Sequence, residues 1–173
     1  PVEHDYLIKL QEFVQNLETV GAKIIRNKTP KLDTERHFMN YLSLVGASDS
    51  EHFTQSEINN LISGVNALNN EHVSRICGTR FRGLSISHRD WLKLNLIRNK
   101  NRLIFDEFFE DIDILLTPAT GSPAFKHDHN GPRYSRFLTI NGKEYPEMAQ
   151  LFWSGYSGVV GLPSVVGPIG QIK

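Results

Sequence analysis

Apolar positions recur at helical spacing from the start of the chain. Leu7, Leu10, Phe13, Val14, Leu17 and Val20 form one stripe, which predicts an amphipathic helix over the first 20 residues. Glu3 and Asp5 lie in its first turn, where a helix dipole favours negative charge, and Gly21 is a natural stop. Residues 22–26 (Ala-Lys-Ile-Ile-Arg) then predict a short strand closed by Pro30. Helical spacing returns with Phe38, Tyr41, Leu42 and Val45 behind a cap at Asp33 or Thr34. A third helix is expected from Gln55 to Leu68, with Ile58, Leu61, Ile62, Val65 and Leu68 inward and an amide-rich outer face. Cys77 follows Val73 and Ile76 in a helical stretch, where it reads as a small buried hydrophobe. Residues 79–84 lack periodicity and predict a loop.

The longest predicted helix starts behind Ser87, with Asp90 three residues on in near capping-box spacing, and runs to about Glu110. Residues 112–116 (Ile-Asp-Ile-Leu-Leu), ending at Thr117-Pro118, have the pattern of a buried central strand. The Gly, Pro, Ser, His and Asp content of residues 119–136 predicts a long loop. Asn141-Gly142 between Phe137–Ile140 and Lys143–Tyr145 is a strong hairpin signal. A further helix begins at Pro146 with Met148, Leu151, Phe152 and Tyr156 inward, and residues 164–167 predict another buried strand. Helices alternating with apolar strands indicate an α/β class, helices packed on part of a mixed sheet.

The 173 residues suit one domain, with a folded surface of about 8,600 Å² and roughly 70 % of the unfolded surface buried. Nineteen basic against nineteen acidic residues leave no basic field for nucleic acid, and zero net charge favours association. The basic side chains of the long helix are followed at once by Asp106, Glu107, Glu110, Asp111 and Asp113, so they read as a solvated face. A lone cysteine makes no internal disulfide and demands no oxidising compartment, so a cytoplasmic location is expected. No apolar run approaches the roughly 20 residues that cross a bilayer, and no membrane partner is expected. The first residue is Pro1 and apolar residues persist to the end, as at the edges of an excised piece.

Motif chemistry is sparse. His127-Asp128-His129 offers alternate imidazoles for a metal, but two residues apart on a loop they need not converge, and an ordinary polar loop is expected with no metal. Ser157 lies in Gly-Tyr-Ser-Gly rather than Gly-x-Ser-x-Gly, late in a helix, so it lacks the setting of a nucleophile elbow. Asp111 and Asp113 read as solvated carboxylates at a helix-to-strand corner, and no Gly-rich phosphate loop is present. No cofactor is implied.

Two stretches carry a family resemblance. Residues 111–125, Asp-Ile-Asp-Ile-Leu-Leu-Thr-Pro-Ala-Thr-Gly-Ser-Pro-Ala-Phe, resemble a strand and loop of the amidase signature family. Residues 161–170, Gly-Leu-Pro-Ser-Val-Val-Gly-Pro-Ile-Gly, resemble its later strand. Between them, residues 141–145 and 150–155 resemble the hairpin and helix of a bacterial branch, and the first helix with Gly21-Ala22-Lys23-Ile24-Ile25 is similar to an earlier unit. The order is preserved along the whole chain.

The resemblance implies hydrolysis of carboxylic acid amides by a Ser, cis-Ser and Lys triad, the lysine acting as base and a glycine-rich loop stabilising the oxyanion. The family segment that holds the cis serine is absent: no Ser-Ser and no Gly-Gly dipeptide occurs. The chain thus resembles the C-terminal portion of the amidase signature fold, a single partial domain over residues 1–173 with no triad residue of its own. A second departure is Gly158, where many members have Asn. By position, Ala119, Thr120, Gly121 and Ser122 are expected to wall the acyl pocket, with Phe152 and Trp153 as further candidates that packing in the core would equally explain. The expected partners are the N-terminal catalytic part of the same amidase and a small-molecule amide, with self-association through unpaired strand edges. The alternative is a non-catalytic helical interaction module.

Overall fold

The computed structural model describes residues 1–171; the last two residues of the expected domain lie outside the described residues. Six α-helices and one hairpin follow in the order α1 (His4–Thr19), α2 (Thr34–Ser48), α3 (Gln55–Ala67), α4 (Glu71–Gly83), α5 (His88–Phe108), β1 (Phe137–Ile140), β2 (Lys143–Pro146) and α6 (Leu151–Gly158). Short 3₁₀ turns occupy Ser50–His52, Arg133–Ser135 and Glu147–Gln150.

The helix starts follow their caps. The Asp33 carboxylate accepts from the Arg36 amide, and the Ser87 hydroxyl accepts from the Asp90 amide at 3.1 Å. Thr54 and Glu57 close a full capping box, each side chain accepting from the other's backbone N–H. Asn70 caps α4 by accepting from the Val73 amide.

Residues 79–84, expected as a loop, instead form the last turns of α4 and its C-cap. Val73, Ile76, Cys77 and Phe81 are all buried on one face, and α2 supplies the surface that buries them. Two glycines permit the close crossing. A Cβ on Gly83 would meet the Ser43 carbonyl oxygen at 2.5 Å, and one on Gly46 would meet the Gly83 Cα at 3.0 Å. Tertiary packing overrides the weak local pattern at this point. Burial also pushes the Cys77 thiol up to about 11, so it stays protonated and inert.

α2 is the hub, packing against α4, α5 and α6. One core gathers Phe38, Leu42, Val65, Val73, Cys77 and Met148; the other gathers Phe105, Tyr156, Val159 and Val160. A buried polar node joins α2, α5 and α6. His37 is 1 % exposed, with Nε2 2.9 Å from the Tyr156 carbonyl and Nδ1 2.9 Å from the Asn101 amide nitrogen. A carbonyl only accepts, so Nε2 carries the proton and Nδ1 accepts from Asn101.

The hairpin forms with the expected register, Ile140 opposite Lys143, and both turn residues, Asn141 and Gly142, take positive φ of 50° and 76°. The other three expected strands do not form. The strand expected at residues 22–26 dissolves into a turn at Arg26-Asn27, with Asn27 at φ 61°. Residues 112–116 and 164–167 belong to no ladder, and the sheet among the described residues is the two-stranded hairpin. Ile114 is 74 % exposed and Val165 97 % exposed, so these segments are open rather than buried. A strand needs a neighbour to satisfy its backbone donors and acceptors, and none is supplied among the described residues. No residue of the α1 apolar stripe is fully buried, with Leu10, Phe13, Val14 and Leu17 only half-buried. The surface of 11398 Å² accordingly exceeds by about a third the roughly 8,600 Å² expected for a compact chain of this mass. The fold is therefore mostly helical, an α/β composition carried by one small antiparallel sheet.

Candidate acyl-pocket cleft

The loop after residues 112–116 is fixed from three directions. The Ala119 amide donates to the Tyr6 hydroxyl at 3.0 Å, and the Glu3 amide donates to the Gly121 carbonyl at 2.8 Å. The Gly121 amide donates to Gln150 Oε1 at 2.6 Å. Gly121 has no room for a side chain: a Cβ would stand 2.5 Å from the Pro1 carbonyl oxygen and 3.2 Å from Gln150 Oε1. The hairpin turn anchors the same N-terminal residues. The His4 amide donates to Asn141 Oδ1 at 3.0 Å, and Asn141 Nδ2 donates to the Val2 carbonyl at 2.8 Å.

These bonds hold α1 and residues 120–125 around a cleft of about 370 Å³, whose third wall is residues 167–170. Tyr6 and Lys9 line it from α1; Thr120, Ser122 and Phe125 line it from the loop; Ile169 completes it. Thr120 is exposed, and its hydroxyl donates to the Ser122 carbonyl at 2.5 Å. Ser122 is 8 % exposed, and its hydroxyl has no partner among the described residues. Lys9 is held by Glu12 at 2.7 Å. Among the described residues, no base hydrogen-bonds a serine in this cleft. The arrangement can enclose a small amphipathic molecule, apolar at Phe125 and Ile169 and polar at Thr120 and Lys9.

Four of the six expected site residues thus come together. Thr120 and Ser122 line the cleft, while Ala119 and Gly121 fix the loop that carries them. Phe152 and Trp153 lie elsewhere, on α6. Phe152 packs edge-on against Phe38 with ring centroids 5.4 Å apart, and Trp153 packs edge-on against Phe152 at 4.9 Å. Tyr6 and Lys9 escape sequence reading, because nothing in the spacing of a helix links it to a loop more than a hundred residues later.

His127 and His129, with ring centroids 5.8 Å apart, line a separate cavity beyond Phe125. Among the described residues, no three His, Cys, Asp or Glu side chains gather as metal ligands. Asp111 pairs with Lys28 at 3.0 Å. The Ser157 hydroxyl accepts from the Ser164 hydroxyl at 2.7 Å. No helix is long and apolar enough to cross a membrane among the described residues.

The family model described as Amidase matches residues 2–172. The chain belongs to the amidase family. No curated protein and no solved structure matches it. Membership in the amidase family agrees with the motif order along the chain and supports the amide hydrolases as the class of the parent protein.

Proposed function

We propose that this chain supplies scaffold and acyl-pocket wall to a hydrolase of carboxylic acid amides, with the Ser, cis-Ser and Lys triad carried outside these residues. The carrying observation is the amidase family match over residues 2–172, combined with the lack of any Ser-Ser or Gly-Gly dipeptide. Thr120 and Ser122 contact the acyl portion of a small-molecule amide, and the bonds to Ala119 and Gly121 set the depth of the pocket. The open segments 112–116 and 164–167 pair with strands of the catalytic part, which is the partner of this chain in the cytoplasm. Their exposure, with Ile114 and Val165 outward, supports that reading.

The test is ammonia release from short aliphatic and aromatic primary amides. The purified chain is expected to release none, and co-expression with the polypeptide encoded directly upstream is expected to give turnover. Turnover by the chain alone, retained through successive purification steps, would overturn the proposal.

A further inference from the structure

The inward face of α5 buries Phe105 and Phe108, but its outward face meets nothing among the described residues. Leu92, Leu96 and Leu103 are 49 %, 56 % and 67 % exposed. Spacings of four and seven residues put these leucines in one line along the helix, the seam pattern of paired helices. Asn99 continues the line between Leu96 and Leu103, Arg89 precedes Leu92 by one turn, and Asp106 follows Leu103 by one turn. All three polar members are exposed. Scattered surface leucines call for no explanation, whereas a line of them bracketed by opposite charges does.

The line is complementary to itself. From Arg89 to Asp106 its spacings are three, four, three, four and three residues, the same read from either end. A second α5 laid antiparallel therefore meets it position for position. Leu92 faces the copy's Leu103, Leu96 faces the copy's Asn99, and Arg89 faces the copy's Asp106, each contact made twice about one two-fold axis. Neither Arg89 nor Asp106 has an ion-pair partner among the described residues. Lys93 flanks the seam on the side of the copy's Lys100, and Asp90 already holds it at 2.8 Å, which offsets their repulsion. A parallel pair would set Arg89 against Arg89 and Asp106 against Asp106, so the charges select the antiparallel arrangement.

We propose that the outward face of α5 is a self-association surface that pairs antiparallel with α5 of a second copy of this chain. The seam is short and includes Asn99, so the pairing is reversible rather than obligate. It rests on the residues of α5 alone and does not depend on the amide-hydrolase reading.

The experiment uses the whole chain carrying Ile114→Lys and Val165→Lys, so that association through the open segments 112–116 and 164–167 does not contribute. Sedimentation equilibrium is expected to show a reversible monomer–dimer equilibrium. Arg89→Asp and Asp106→Arg each place like charges together twice in the dimer, and each is expected to weaken it at least about tenfold. Neither change opposes the α5 dipole, since an acid enters the first turn and a base the last, so the melting transition should stay in place. Mixing the two variants restores opposite charges at both ends of the seam. The mixture is expected to form a heterodimer of about the original affinity, read by native mass spectrometry from the two different masses. A monomer throughout, single variants that still dimerise fully, or a mixture that fails to pair would overturn the assignment. Variants that keep their dimer but lose the complex with the polypeptide encoded directly upstream would give this face to that polypeptide instead.

Discussion

Replacing His37 with leucine tests the polar node between α2, α5 and α6. The substitution keeps an apolar side chain of similar bulk but removes both imidazole hydrogen bonds. The Tyr156 carbonyl is then left unpaired in a buried setting, and the half-buried Asn101 amide loses its acceptor. Each buried group left unpaired costs about 1–3 kcal/mol, and Asn101 can recover part of its loss from water, so His37→Leu is expected to destabilise by about 2–4 kcal/mol. That is a large share of the roughly 5–15 kcal/mol typical of a domain.

Burial pushes the His37 pKa below its ordinary 6.5, and the bond to the Tyr156 carbonyl only partly offsets this. A folded-state value below the unfolded one means that the unfolded chain binds the extra proton. The contribution of His37 is therefore full above about pH 6.5 and is lost as pH falls from there towards the lower folded value. Urea unfolding at pH 5.0, 6.0, 7.0 and 8.0 should show the difference between wild type and His37→Leu shrinking towards acid. A difference that stays constant across this range, or a loss below about 1 kcal/mol at pH 8, would refute the assignment of Nε2 as donor and Nδ1 as acceptor. Asn101→Leu in the His37→Leu background should cost less than in the wild type, because its partner is already gone.

Gly121→Ala should destabilise by about 1–3 kcal/mol, since the added Cβ must displace the Pro1 carbonyl or Gln150. Amide exchange should quicken at Glu3 and Gly121 together, because one bond ties them. Ile114→Lys with Val165→Lys should leave the melting transition nearly unmoved, as both side chains are largely exposed, yet lower self-association in sedimentation velocity and reduce dye binding to apolar surface. Cys77 should resist iodoacetamide at pH 8 until the chain unfolds, because its thiol is buried and pushed up to about 11; labelling that outpaces unfolding would contradict its burial.

Much of the helical layout was legible because its signals are local. Asp33 and Ser87 cap the helices they precede, the Asn141-Gly142 turn forms the expected hairpin, and Phe38, Leu42, Ile58 and Val65 are buried as their spacing required. A cap needs only an amide three residues away, and a hairpin only its own two strands. The irregular backbone at residues 119–122 was likewise legible from composition, although not its fixing by Glu3, Tyr6 and Gln150.

What only the tertiary structure decided is non-local. The end of α4 became helix because Gly46 and Gly83 let α2 lie close against it. Residues 112–116 and 164–167 have the composition of central strands but remain unpaired, because apolar content marks a segment for burial without supplying the neighbour that buries it. Tyr6 and Lys9 joined the cleft only when hydrogen bonds at Glu3 and Asn141 brought α1 to the loop. Local sequence thus determined which segments turn, cap and extend, and the packing of distant segments determined which of them found partners.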